Sequence, residues 1–272
     1  MRFPQNSGSF GALPILALNL LSRSALAQVV PPAGNETGVL AHAFELGSLT
    51  LADSRWGDNQ NRTLTYLLWL DPDRLLYNFR ANHGLSTQGA APHGGWDAPD
   101  FPFRTHFQGH ILTAWAYCFS TLSEPACREK AEYFVAELAK CQENNGQKGY
   151  TAGYLSGFPE SEIEAVERRT LSNGNVPYYA VHKTMAGLLD AWRFLGDEKA
   201  RDVLFGMAEW VDARTSKLSR TQIQNMLQTE FGGMNDVLAD VAHQTGDARW
   251  LSVAQRFDHE AVMAPLERGK TN

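Results

Sequence analysis

Several things are scarce in this chain of 272 residues, and each scarcity removes a class of function. Lysine and arginine number 24 against 30 aspartates and glutamates, a formal net charge of −6. Phosphate backbones bind to basic surfaces, so nucleic acid is excluded as a partner. With 23 glycines and 12 prolines the chain is neither collagen-like nor of low complexity, and 43% hydrophobic residues with seven tryptophans exclude intrinsic disorder. No apolar run approaches the roughly 20 residues that a membrane-spanning helix needs. Nucleophilic-serine elbows, phosphate-binding glycine loops and dinucleotide fingerprints are all missing, which removes the hydrolase-elbow, kinase and Rossmann classes.

Cysteine is scarce too, with only Cys118, Cys127 and Cys141 present. An odd number leaves one thiol over, whatever the pairing. Cys127 and Cys141 fall on one predicted helix, where they stand about 21 Å apart along the axis, beyond the roughly 7 Å that a disulfide bridges. Cys118 with Cys127, facing across a helical turn, is the sterically easy pair; three buried free thiols are the alternative.

What is present begins with an address. Arg2 precedes the apolar run Gly11 to Leu21, followed by Ser24-Ala25-Leu26-Ala27. Small residues at −3 and −1 of a cut after Ala27 give residues 1–27 the layout of a secretory signal peptide, too short in its apolar part to be an anchor. A secreted, extracellular protein is expected. The sequons at Asn35 and Asn61 fit that route as glycosylation positions on the surface. Residues 28–53 read as an N-terminal arm, and 54–80 as one or two helices.

From residue 104 the apolar positions recur at helical spacing and no segment keeps a period of two, so the fold class is all-α. Gly196-Asp197 and Gly246-Asp247 each join a C-terminal glycine to an aspartate N-cap, Ser123-Glu124-Pro125 stops and restarts a helix, and Ser219-x-x-Gln222 has the form of a capping box. The result is a set of antiparallel hairpins: 104–121 with 124–144, 177–195 with 197–214, and 231–245 with 247–258. Their unequal spacing favours a closed α/α toroid over a regular solenoid. The long connection 146–175, keeping Tyr150, Tyr154 and Phe158, reads as an ordered loop lying over a site.

In a toroid alternate helices point the same way, so their N-termini gather at one rim. The starts near 105, 178 and 231 carry His106 and His110, then Tyr178, Tyr179 and His182, then Glu230 and Asn235. Neutral polar groups among aromatics at a concave rim suit a carbohydrate, which offers hydroxyls to bond and C–H faces to stack on. His106 and His110 share the four-residue spacing that zinc sites use, but no glutamate completes H-E-x-x-H, and no metal site is assigned. For His182 the competing role is a core histidine bonded to a carbonyl; for Glu230 it is helix-dipole stabilisation. Trp96 and Trp115 fit core as well as sugar stacking. Glycoside hydrolysis needs a proton donor and a nucleophile or base, and Asp97, Glu160, Glu230 and Asp236 stand unranked among the carboxylates.

At these residues the chain resembles a known family. Gly94-Gly95-Trp96-Asp97, His106-Phe107-x-Gly109-His110, Ala136-Glu137-Leu138-Ala139-x-Cys141-Gln142, Gly157-Phe158-Pro159-Glu160, Val176-Pro177-Tyr178-Tyr179-x-x-His182-Lys183 and Thr229-Glu230-Phe231-Gly232-Gly233-Met234-Asn235 occur in the order seen in β-L-arabinofuranosidases of glycoside hydrolase family 127 and relatives. The similarity runs from about 80 to 259. It implies an (α/α)6 toroid followed by β-domains, and removal of terminal L-arabinofuranose from plant-type glycans, so that an arabinose-containing oligosaccharide or polysaccharide is the expected partner. It also implies a zinc ion held by a glutamate and cysteines, one cysteine acting as nucleophile, with a separate glutamate as acid/base. Those residues fall downstream of the last motif found here. The expectation is therefore a partial toroid over 54–272, apparently truncated, with its catalytic groups beyond Asn272, no zinc of its own, and open edges prone to self-association. Its sugar-binding positions are His110, His182 and Glu230, with Trp96 and Asp97 behind them.

Overall fold

The computed structural model describes residues 44–270, so the expected signal peptide, most of the arm and the sequon at Asn35 lie outside the described residues. Thirteen α-helices and two 3-10 turns make up the described chain, which contains no strand. Helix α1 spans Arg55–Trp69, and the short α2 (Pro72–Leu75) and α3 (Tyr77–Asn82) follow it, three helices where the sequence suggests one or two. The three expected hairpins follow, α4 (His106–Leu122) with α5 (Pro125–Glu143), α8 (Pro177–Leu195) with α9 (Glu198–Thr215), and α11 (Gly233–Thr245) with α12 (Ala248–Ala254). Between them lie α6 (Asn145–Lys148), α7 (Glu160–Glu167) and α10 (Arg220–Leu227), and α13 (Glu260–Glu267) comes last.

The hairpin turns form for the reasons their residues suggest. Gly196 and Gly246 sit at φ 67° and 71°, the left-handed region glycine enters without strain. Asp197 then accepts from the amides of Lys199 and Ala200, Asp247 from that of Arg249, and Ser219 with Gln222 forms a reciprocal capping box. Cys118 and Cys127 are disulfide-bonded across the α4–α5 turn with Cα atoms 6.2 Å apart, and Cys141 is a buried free thiol.

Helices α4, α8 and α11 form one layer and run parallel. Thr113 donates to Asp190 at 2.8 Å, and four residues further along each helix Tyr117 meets Phe194 with ring centroids 5.0 Å apart. A Cβ on Gly109 would lie 1.9 Å from the Lys183 carbonyl oxygen, and one on Gly187 2.6 Å from that of Gly109, so α4 and α8 touch backbone to backbone. On the other flank of α8, His182 abuts Gly233 and Arg193 approaches Asp240 at 4.0 Å, which aligns α11 in the same direction. Partners α5, α9 and α12 return behind them. Gln142 of α5 donates to the Val203 carbonyl of α9, and Arg249 of α12 grips Glu209 and Asp212 of α9. This two-layer alternation is an arc of an all-α, toroid-like fold.

The core fills the space between the layers. Trp115, Phe134, Leu138, Met185, Leu188, Leu204 and Met207 are buried there, and full burial of each such side chain stabilises by roughly 1.5–3 kcal/mol. Arg80 is buried as well, paired with Glu137 at 2.7 Å and Asp73 at 2.8 Å. The connection 146–175 differs from its expected role as a loop over a site. Tyr154, Leu155, Ser156 and Phe158 are buried in the body of the domain. Its backbone carbonyls are taken by Asn82, which bonds Ser156 and Phe158, and by Asn145, which bonds Thr151 and Tyr154. Aromatic side chains in a long connection signal order, but whether they pack inward or cover a ligand depends on which polar groups satisfy the backbone.

Candidate functional site

At the N-terminal ends of α4, α8 and α11 lies a cavity of about 420 Å³, within the size range of small-molecule sites. Trp96, Phe103, Tyr178, Tyr179, Phe231 and Phe257 give its wall an aromatic character, and His106, His182, Thr229 and Glu230 supply polar atoms. Trp96 and Phe231 stand at the mouth, exposed by 69% and 58%.

Asp97 sets the entrance without lining it. It is buried, and its carboxylate accepts from the Thr105 amide at 3.0 Å and from the Gln108 amide group at 2.7 Å, with Asn78 and His93 also in contact. It thereby ties the 3-10 turn Gly95–Asp97, which carries Trp96, to the start of α4. Thr105 takes φ 66° at that junction, a conformation held by the Asp97 bond to its amide. Placed behind the site in the sequence reading, Asp97 is a structural hub, with its lone pairs already used.

His106 bonds the Phe103 carbonyl through Nδ1, which leaves Nε2 free toward the cavity, and its ring stacks obliquely on Tyr179 at 5.7 Å. His182 packs against Tyr179 at 5.3 Å, in a space that exists because residue 233 is glycine: a Cβ there would sit 2.0 Å from Nε2. Burial, reinforced by the charge of Lys183, pushes the His182 imidazole down to about 4, so it is neutral at physiological pH. His110 sits one turn along α4 from His106, on the exposed face of the helix and outside the cavity wall, close enough for its charge to act on His182. Burial and the charge of Lys183 lower its pKa as well.

Glu230 is the carboxylate in the wall. Oε2 accepts from the Tyr179 amide at 2.8 Å, capping the α8 N-terminus that no residue of its own caps, while Oε1 is buried with no partner. Burial raises its pKa to about 7, against the pull of the Tyr178 and Tyr179 backbone donors. The other candidate carboxylates lie elsewhere. Glu160 is spent on Trp210, Arg214 and the Thr151 amide, and Asp236 on α11 does not reach the wall. Trp115 belongs to the core, its indole donating to the Leu67 carbonyl. Asn61 is exposed on α1.

The structure thus brings His182, Glu230 and Trp96 into one wall and leaves His110 beside it and Asp97 beneath it. His106, Tyr179, Phe103 and Phe257 join them. His106 and Tyr179 were legible as groups at helix starts, and Phe257 only as an apolar position of the last hairpin, from whose end it reaches the cavity.

A profile of the β-L-arabinofuranosidase GH127 catalytic domain matches residues 48–272. The chain belongs to this family. Among solved structures it is similar to a GH127 β-L-arabinofuranosidase from Geobacillus stearothermophilus T6, with a TM-score of 0.56 and 16% identity, over 82% of this chain and 35% of that one. At that identity the likeness is one of fold, and the chain spans about a third of the length of the structure it matches. No curated protein matches. The zinc that the GH127 resemblance implies finds no donor set here. Among the described residues no three histidine, cysteine, aspartate or glutamate side chains converge, two cysteines are in a disulfide, and burial pushes the Cys141 thiol up to about 12.

Proposed function

We propose that the cavity binds a terminal L-arabinofuranosyl unit of a plant-type glycan, in a secreted glycoside hydrolase of β-L-arabinofuranosidase type. The observation that carries this reading is Glu230: one oxygen anchored on the Tyr179 amide, the other unpartnered, in an aromatic wall shared with His106 and a neutral His182. A sugar hydroxyl supplies the missing partner, accepting a hydrogen bond from the acid form or donating one to the carboxylate. The free nitrogens of the two imidazoles bond neighbouring hydroxyls, and Trp96 or Phe231 stacks on a C–H face. Family membership and the layout of residues 1–27 support the substrate class and the secreted route.

Bond cleavage needs two groups flanking the scissile bond, and among the described residues Glu230 is the single carboxylate lining the cavity. That favours a second reading of these residues as a sugar-recognising unit without turnover. Titration calorimetry of the chain with an arabinose-containing oligosaccharide, alongside hydrolysis of an aryl β-L-arabinofuranoside, separates the two. Saturable binding that weakens at least tenfold in His182→Ala, with little change in melting temperature, is expected. Absence of saturable heat overturns the proposal, and release of L-arabinose excludes the second reading.

A further inference from the structure

A second cavity, of about 520 Å³, lies between α7, the C-terminal end of α9 and α10. Four cations, Arg168, Arg169, Arg214 and Lys217, line it together with two acids, Glu164 and Glu167. The acids are already committed. Glu167 is bidentate to Arg214, which also bonds Glu160 at 3.2 Å, and Glu164 faces Arg168 at 3.7 Å. Two cations are thereby left over. Arg169 bonds only the neutral Gln228 side chain, from a backbone at φ 54°, and Lys217 has no carboxylate within ion-pair distance among the described residues. Surplus positive charge concentrated in one concavity of a chain with net charge −6 is an anion-binding arrangement, because low-dielectric walls focus the field of the cations inside.

The amides of Gln222 and Asn225 also line this cavity, so hydrogen-bonding groups stand beside the cations. That combination matches a ligand carrying both a carboxylate and hydroxyls. The two cavities share structure: α10 gives Met226 and Leu227 to the first wall and Gln222 and Asn225 to the second. Glu167, in the second, accepts from the hydroxyl of Tyr178, in the first, at 2.8 Å. We propose that the α7–α9–α10 cavity is a second carbohydrate site that takes a uronate residue through Arg169 and Lys217, so that the chain prefers acidic over neutral glycans. The saccharide nature of the ligand rests on the sugar-binding reading of the first cavity; the anion preference rests on the charges alone.

The test is calorimetry of the full chain with three probes: an oligogalacturonide, a neutral arabinose-containing oligosaccharide, and inorganic phosphate at matched ionic strength. The oligogalacturonide is expected to bind and to weaken severalfold between low salt and 0.3 M salt, as screening of an open cationic site requires. The variant pair Arg169→Gln and Lys217→Gln should weaken it about tenfold while leaving the neutral oligosaccharide and the melting temperature unchanged. Both positions are exposed, so folding does not depend on them. Phosphate binding as tight as the oligogalacturonide, no uronate binding, or uronate affinity untouched by the double substitution each overturns the proposal. Loss of neutral-sugar binding alone strikes the first cavity and leaves this site standing.

Discussion

Two residues in the cavity wall titrate with opposite consequences. Glu230 keeps its proton up to about 7 in the folded chain against 4.5 for the unperturbed carboxyl, so between those values the folded state binds more protons and stability falls as pH rises. His182, lowered from 6.5 to about 4, contributes stability that is present above 6.5 and lost as pH falls toward 4. Buried His83, also at about 4 and bonded to Asn145 at 2.8 Å, adds to the second effect. Over the shared window the glutamate offsets part of the histidine loss. In Glu230→Gln the neutral amide still accepts from Tyr179, and its stability should rise relative to the parent as pH increases from about 4.5 to 7. The gain is on the order of 3 kcal/mol at the upper end. Chemical denaturation at pH 4.5 and pH 8 measures it; a parent and variant that differ equally at both pH values would mean that folding leaves the Glu230 pKa where it is in the unfolded chain.

At the scale of helices, what fixes the site is the contact of α4 with α8. Gly109 and Gly187 let the two backbones touch, and the register of that touch brings the His106 end of α4 beside the Tyr179 end of α8. Gly109→Ala meets the Lys183 carbonyl rather than a flexible side chain, so the helices must separate. A loss of about 1–3 kcal/mol or more is expected, with weakened sugar binding, read as a lower denaturation midpoint and a smaller binding heat. Gly233→Ala differs in kind, because its methyl would displace only the His182 ring. It should lose sugar affinity at little cost in stability. Helix limits and turns were legible in the sequence, since Gly196-Asp197, Gly246-Asp247 and Ser219-x-x-Gln222 act through bonds a few residues long. The short helices α2, α6 and α7 and the terminal α13 were not, as their length leaves too few turns for a period to show.

For the molecule as a whole, the cavity is assembled from segments more than 160 residues apart, from Trp96 to Phe257, so ligand binding couples to global stability. An arabinose-containing oligosaccharide at about 100 times its dissociation constant should stabilise the fold by about 2.7 kcal/mol. A melting-temperature series against ligand concentration checks this, and a flat series would show that the sugar binds equally well to the unfolded chain or not at all.

The sequence by itself determined the all-α class, the three hairpins, the cystine between Cys118 and Cys127 as the sterically easy pair, and the three helix starts where polar and aromatic groups gather. Periodicity, capping and chain geometry are local, and they act before any long-range contact forms. Only the tertiary structure decided how the candidates divide. Asp97 and Glu160 carry the same chemistry as Glu230, but neighbouring amides, an indole and a guanidinium have used their oxygens, while Glu230 has one oxygen on a helix N-terminus and one left over. Whether a carboxylate is available depends on which donors the fold brings to it from distant segments, and no local pattern records that.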